Sequence, residues 1–163
     1  MPVSTLRHLV PVRADAFLHT LAFLIFSMLI LLPDNSVVAG DGNYYEPGRG
    51  SQERRAIMDA ARVPVSRETG LPVIFVVDIL RSDGHRAYLQ AKPVNPDSSP
   101  LDWNNTPFAE EWRADMMSDV VMILLERVNG RWIARDYFIG PTDVAWYGWL
   151  EKYNLPEALF AGD

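Results

Sequence analysis

Two carboxylates stand in segments that otherwise read as apolar strands. Asp136 lies in RWIARDYFIG and Asp78 in LPVIFVVDIL. A carboxylate on an apolar face must be hydrogen-bonded, protonated or turned to a cavity, because burying it unpartnered is costly. Two such groups in environments that push their pKa values apart could act as general acid and general base. With Asn129-Gly130 as a two-residue turn, Asp136 is expected opposite Ile123, on a face with Trp132, Ala134 and Phe138. With Asp83-Gly84 as an earlier turn, Asp78 is expected opposite Leu89. Hairpins laid side by side would hold these two strands well apart. A structural role, with each Asp accepting hydrogen bonds from Arg, Trp or backbone N–H, therefore outweighs catalysis.

The remaining chemistry is of recognition. Glu126 is expected diagonal to both Arg131 and Arg135, so this arginine pair either answers Glu126 or holds an acidic ligand. Arg127 falls opposite Trp132, a cation–π arrangement. Trp146, Trp149 and Tyr153 share a helical stripe that could cradle a sugar or peptide but more often forms core. Asp136, Asp78, Arg135, Tyr137 and Trp146 are the ligand-binding candidates. Asp143 reads as a helix cap.

Absences narrow the field. The chain has no Cys, so thiolate nucleophiles, disulfides and thiolate metal sites are excluded. Of three His, only His85 lies beyond residue 39, so a histidine metal cluster is excluded and any relay would run through His85, in a turn. There is no phosphate loop and no G-x-S-x-G. No cofactor, no metal and no catalytic residue is expected. Fifteen Lys and Arg against 21 Asp and Glu leave a net charge of −6, which argues against a nucleic-acid binder.

The elements that must position these residues begin after residue 39. Arg7 and Arg13 flank an apolar run over 16–32, Pro33 breaks it, and Val37-Val38-Ala39 precedes Gly40. That is the layout of a cleaved secretory signal. The alternative is an N-terminal membrane anchor, but the run is short of the roughly 20 residues a span needs. A periplasmic or secreted protein with no membrane span after cleavage is expected. Residues 40–50 read as a flexible lead-in, and 51–163 as one α+β domain with an insertion over 93–118.

Within that domain Ser51 predicts a helix N-cap, with Ile57, Ala60 and Ala61 facing inward. Pro64 should end or kink the helix, and Gly70 suits a stop. Residues 71–80 read as a strand apolar on both faces. One face should meet the helix, and the other needs a second cover, a cavity or a partner. Residues 85–92 alternate as a half-exposed strand. Thr106-Pro107 predicts a short helix inside the insertion, which is long enough to suggest function. The Asn129-Gly130 hairpin follows, then a helix carrying Trp146 to Tyr153.

The order helix, hairpin, insertion, hairpin, helix resembles the cystatin-like and nuclear-transport-factor-like α+β group. Gly70-Leu71-Pro72, Phe75-Val76-Val77 and the run IGPTDVAW from Ile139 to Trp146 resemble small secreted bacterial proteins of unknown function. The resemblance implies an N-terminal helix on a curved four-stranded antiparallel sheet, a C-terminal helix and a periplasmic home. It carries no activity or site, and members of the broader fold are often dimers or ligand-binding modules. The expectation is an exported, non-enzymatic binding protein of the bacterial envelope, with an unknown protein or small ligand as partner. A carboxylate-dependent hydrolase or isomerase using Asp136 and Asp78 is one alternative. An envelope inhibitor or immunity protein using the insertion is the other.

Overall fold

A computed structural model describes residues 43–161. The expected signal segment lies outside them. Helix α1 (Gln52–Thr69) starts where Ser51 is extended and its Oγ accepts the Arg54 N–H at 3.0 Å. It stops where Gly70, at φ 71°, turns left-handed and donates its N–H to Ser66 O. Ile57, Met58, Ala61, Pro64, Val65 and Thr69 form its buried stripe, the i, i+4, i+7 pattern of one helix face. The helix does not end at Pro64. An interior proline costs about 3 kcal/mol, and the burial of Pro64, Val65 and Thr69 beyond it offsets that cost.

Four strands follow: β1 (Ile74–Ser82), β2 (Arg86–Val94), β3 (Val121–Val128) and β4 (Arg131–Ile139). They form one antiparallel sheet in chain order, so β1 and β4 are its edges. Between β2 and β3 lie a 3₁₀ turn (Trp103–Asn105) and the short helix α2 (Ala109–Arg113). Helix α3 (Tyr147–Tyr153) and a last 3₁₀ turn (Glu157–Leu159) close the chain. The protein is thus α+β, with a four-stranded antiparallel sheet. No helix among the described residues is long and apolar enough to cross a membrane.

The second hairpin turns as its sequence predicts. Asn129 at φ 51° and Gly130 at φ 78° put Val128 opposite Arg131, a turn whose twist matches the strands. Farther along β4 the register departs from the expected one. Leu125 pairs with Ala134 but Leu124 pairs with Asp136, so Arg135 is an extra, bulged residue. Because side chains alternate, one extra residue exchanges the faces of everything beyond it. Asp136 therefore stands opposite Leu124 rather than Ile123, and Phe138 opposite Met122, while Tyr137 and Ile139 move to the other face. The first hairpin also differs. Leu80, not Asp78, lies opposite Leu89, and Asp78 is itself skipped between Val77 and Ile79.

Both faces of the sheet carry a core. On the first, Ile57, Ala61 and Val65 of α1 share a buried cluster with Ala87, Leu89, Ile123, Leu125 and Trp132, joined by Leu101, Trp103 and Met117 of the 93–118 segment. On the second, Tyr88, Met122 and Leu124 pack with Trp146, Trp149, Leu155, Leu159 and Phe160. The doubly covered strand is β3, whose residues from Val121 to Leu125 are all buried. Strand β1, expected in that role, is an edge, and Val76 on it is 56% exposed. Runs such as IFVV and VVMILL look alike in sequence; the pairing order decides which is interior.

Candidate functional site

Asp136 is fully engaged. On the second face of the sheet its Oδ2 accepts from Lys152 Nζ and Tyr153 Oη of α3, each at 2.8 Å, and its Oδ1 accepts the Tyr137 N–H at 2.9 Å. Desolvation pushes its pKa up, but the hydrogen bonds from Lys152, Tyr153 and the Tyr137 amide, with the Lys152 charge, outweigh it and hold the carboxyl below its ordinary value. The bond to Asp136 in turn raises Lys152. A carboxylate this well stabilised as an anion makes a weak base.

Asp78 lies on the other edge strand. Gln90 Nε2 donates to its Oδ2 at 2.7 Å, and Gln90 Oε1 accepts from the buried Tyr88 hydroxyl at 2.9 Å. Burial, and second the Asp78 charge, push the Tyr88 phenol far above its ordinary value, so the hydroxyl stays a donor. With β1 and β4 at opposite edges, three inter-strand spacings, about 14 Å, separate the strands bearing Asp78 and Asp136. The structure does not bring these two carboxylates together.

The other candidates scatter too. Tyr137 is on the first face, where its Oη accepts from Arg67 Nη2 and donates to Glu68 Oε1, each at 2.8 Å. Trp146 is buried in the second core, stacked on Phe160 at 4.7 Å between centroids with rings 3° apart, and on Tyr147 at 4.5 Å. The arginines also part. Arg135 Nε reaches Glu126 Oε2 at 3.8 Å, whereas Arg131 makes no ion pair among the described residues. Arg127 is opposite Trp132 in register, but its Nε points to Gly130 O, and the cation–π contacts form at Tyr153 with Arg135 and Lys152.

One recess does gather charge. Next to the bulge at Arg135 a cleft of about 80 Å³ opens between the end of α3 and the hairpin ends of β2 and β3. Leu124 and Leu155 give it apolar walls, and Arg86, Glu126, Arg135 and Tyr153 its polar rim. Glu126 and Arg86 are directly opposed across β2 and β3. Yet Glu126 pairs with Arg135, and the half-buried Arg86 side chain has no hydrogen bond or ion pair among the described residues. Sequence reasoning reached Arg135, Glu126 and Tyr153 separately. It missed Arg86 and Leu155, because the β2–β3 register and the path after α3 are long-range.

Two wider recesses are less available to ligands. One of about 250 Å³, between α1 and β4, includes Arg67 and Tyr137, already bonded together. Another of about 280 Å³, by the hairpin tips, includes Glu53, which accepts from Tyr45 Oη and Ser82 Oγ. No group of three or more His, Asp or Glu placed to hold a metal occurs among the described residues. Comparison with protein-family models, with curated proteins and with solved structures found no match to this chain.

Proposed function

We propose that this protein is an exported, non-enzymatic binding module of a bacterial cell envelope. The observation that carries this reading is the division of labour among its charged groups. Asp136 and Asp78, the residues best suited to acid–base work, are hydrogen-bonded on opposite edges of the sheet, while the arginine-rimmed cleft stays open. The basic flank, apolar run and small-residue stop before Gly40 support export with cleavage. A helix against one face of an antiparallel meander supports the finer reading of a cystatin-like fold, and the IGPTDVAW run supports kinship with small secreted bacterial proteins.

Expression of the full chain in a Gram-negative host tests export and binding together. The periplasmic fraction should yield a protein beginning at Gly40 by intact mass. A membrane-bound product of full length would replace the cleaved-signal reading with an anchor. Protein purified from that fraction should retain envelope components that a variant carrying both Arg86→Gln and Arg135→Gln does not. Equal capture by both proteins would rule out the cleft as the binding site.

A further inference from the structure

We infer that the cleft beside the Arg135 bulge takes one carboxylate borne on a short apolar stem. This rests on the binding-module reading and specifies its ligand class.

The charge count around the cleft sets the sign and size of what fits. Arg86 and Arg135 supply two positive charges and Glu126 one negative. The adjacent Asp136 charge is answered by Lys152 at 2.8 Å. Among the lining residues alone one positive charge is left over, which matches a monocarboxylate; a dianionic phosphate would press a second charge against Glu126. The donors are suited to the task. Arg86 is half-buried, its guanidinium makes no hydrogen bond or ion pair among the described residues, and a guanidinium presents paired N–H groups in the geometry of a carboxylate. Arg135 is fixed over the Tyr153 ring at 5.8 Å, and its contact to Glu126 at 3.8 Å is too long to saturate it. The Tyr153 hydroxyl is spent on Asp136, so that residue offers the cleft its ring.

The walls and the volume define the rest of the ligand. Leu124, Leu155 and the Tyr153 ring favour an apolar stem over a hydroxylated one. At roughly 10–15 Å³ for each water-sized site, about 80 Å³ accepts a group of butyrate size. A bulge is a recurrent way to re-aim a side chain at a ligand, and here it removes Arg135 from the strict alternation of β4.

Calorimetric titration of the purified protein separates the outcomes. The probes are butyrate, butyramide, acetate and a short valine-ending peptide with either a free or an amidated terminus. Butyrate should bind one site in the millimolar range, with butyramide and acetate each weaker by about tenfold or more. Arg86→Gln should weaken butyrate about tenfold, and Arg86→Lys should fall between, since it keeps the charge and loses the fork. Glu126→Gln should strengthen it. If the free-terminus peptide binds more tightly than butyrate, the natural carboxylate is a chain end; the reverse order makes it a free acid. Equal affinity for butyrate and butyramide, unchanged binding in a folded Arg86→Gln protein, or no heat with any probe would each overturn the inference. Those failures leave the binding-module reading standing, because export and envelope capture are measured independently.

Discussion

Asp136 is the residue whose role changes most between sequence and structure. It ties β4 to α3 by accepting from Lys152 and Tyr153. Asp136→Asn keeps an acceptor but loses the charge assistance, and should cost about 1 kcal/mol in urea unfolding at neutral pH. The pH dependence has a definite sign. The folded pKa is depressed, so the contribution is present above the ordinary value of 3.8 and disappears as pH falls through the lower folded value. The stability gap between wild type and Asp136→Asn should therefore close on acidification from about pH 5 toward pH 2. A gap that persists in acid would mean that the ionised carboxylate is not its source.

Among the elements, turns and caps were legible in the sequence and bulges were not. Ser51, Gly70 and Asn129-Gly130 each act through their own backbone, so their residue types reveal them. The bulges at Asp78 and Arg135 reflect how two strands fit together, and no residue in either strand announces them. That is why strict alternation puts Asp136 and Phe138 on the wrong face, and why the opposition of Arg86 and Glu126 is not visible in either strand alone. Gly140 is a further junction whose importance appears only in the fold. It sits at φ 69°, its N–H bonds Val120 O, and an added Cβ would lie 2.8 Å from Met117 Cβ. Gly140→Ala should cost about 2–4 kcal/mol in chemical unfolding, from left-handed strain together with overpacking.

At the scale of the whole molecule, the sheet is covered on one face by α1 with the 93–118 segment and on the other by residues 146–160. The 93–118 insertion, expected as an inhibitory or binding surface, sends Leu101, Trp103 and Met117 into the first core and stacks Trp103 on Trp112 at 5.9 Å. Met116, 67% exposed, is its one large outward apolar side chain. Trp103→Ala should therefore lower stability by about 3–5 kcal/mol, seen as a fall in the urea midpoint with a similar slope. Deleting the whole insertion would remove core as well as surface, and cannot serve as a clean control for binding. Phe160→Ala should destabilise to a comparable degree through the second core, where Phe160 packs on Tyr88, Trp146 and Trp149.

The dependence of the second core on residues 146–160 has a consequence for biogenesis. All four strands leave the ribosome before Trp149, Leu159 and Phe160 do. Until those residues emerge, Tyr88, Met122 and Leu124 lack the buried aromatic cover of that side. The growing chain can pair its strands, but it cannot complete this half of the fold during elongation.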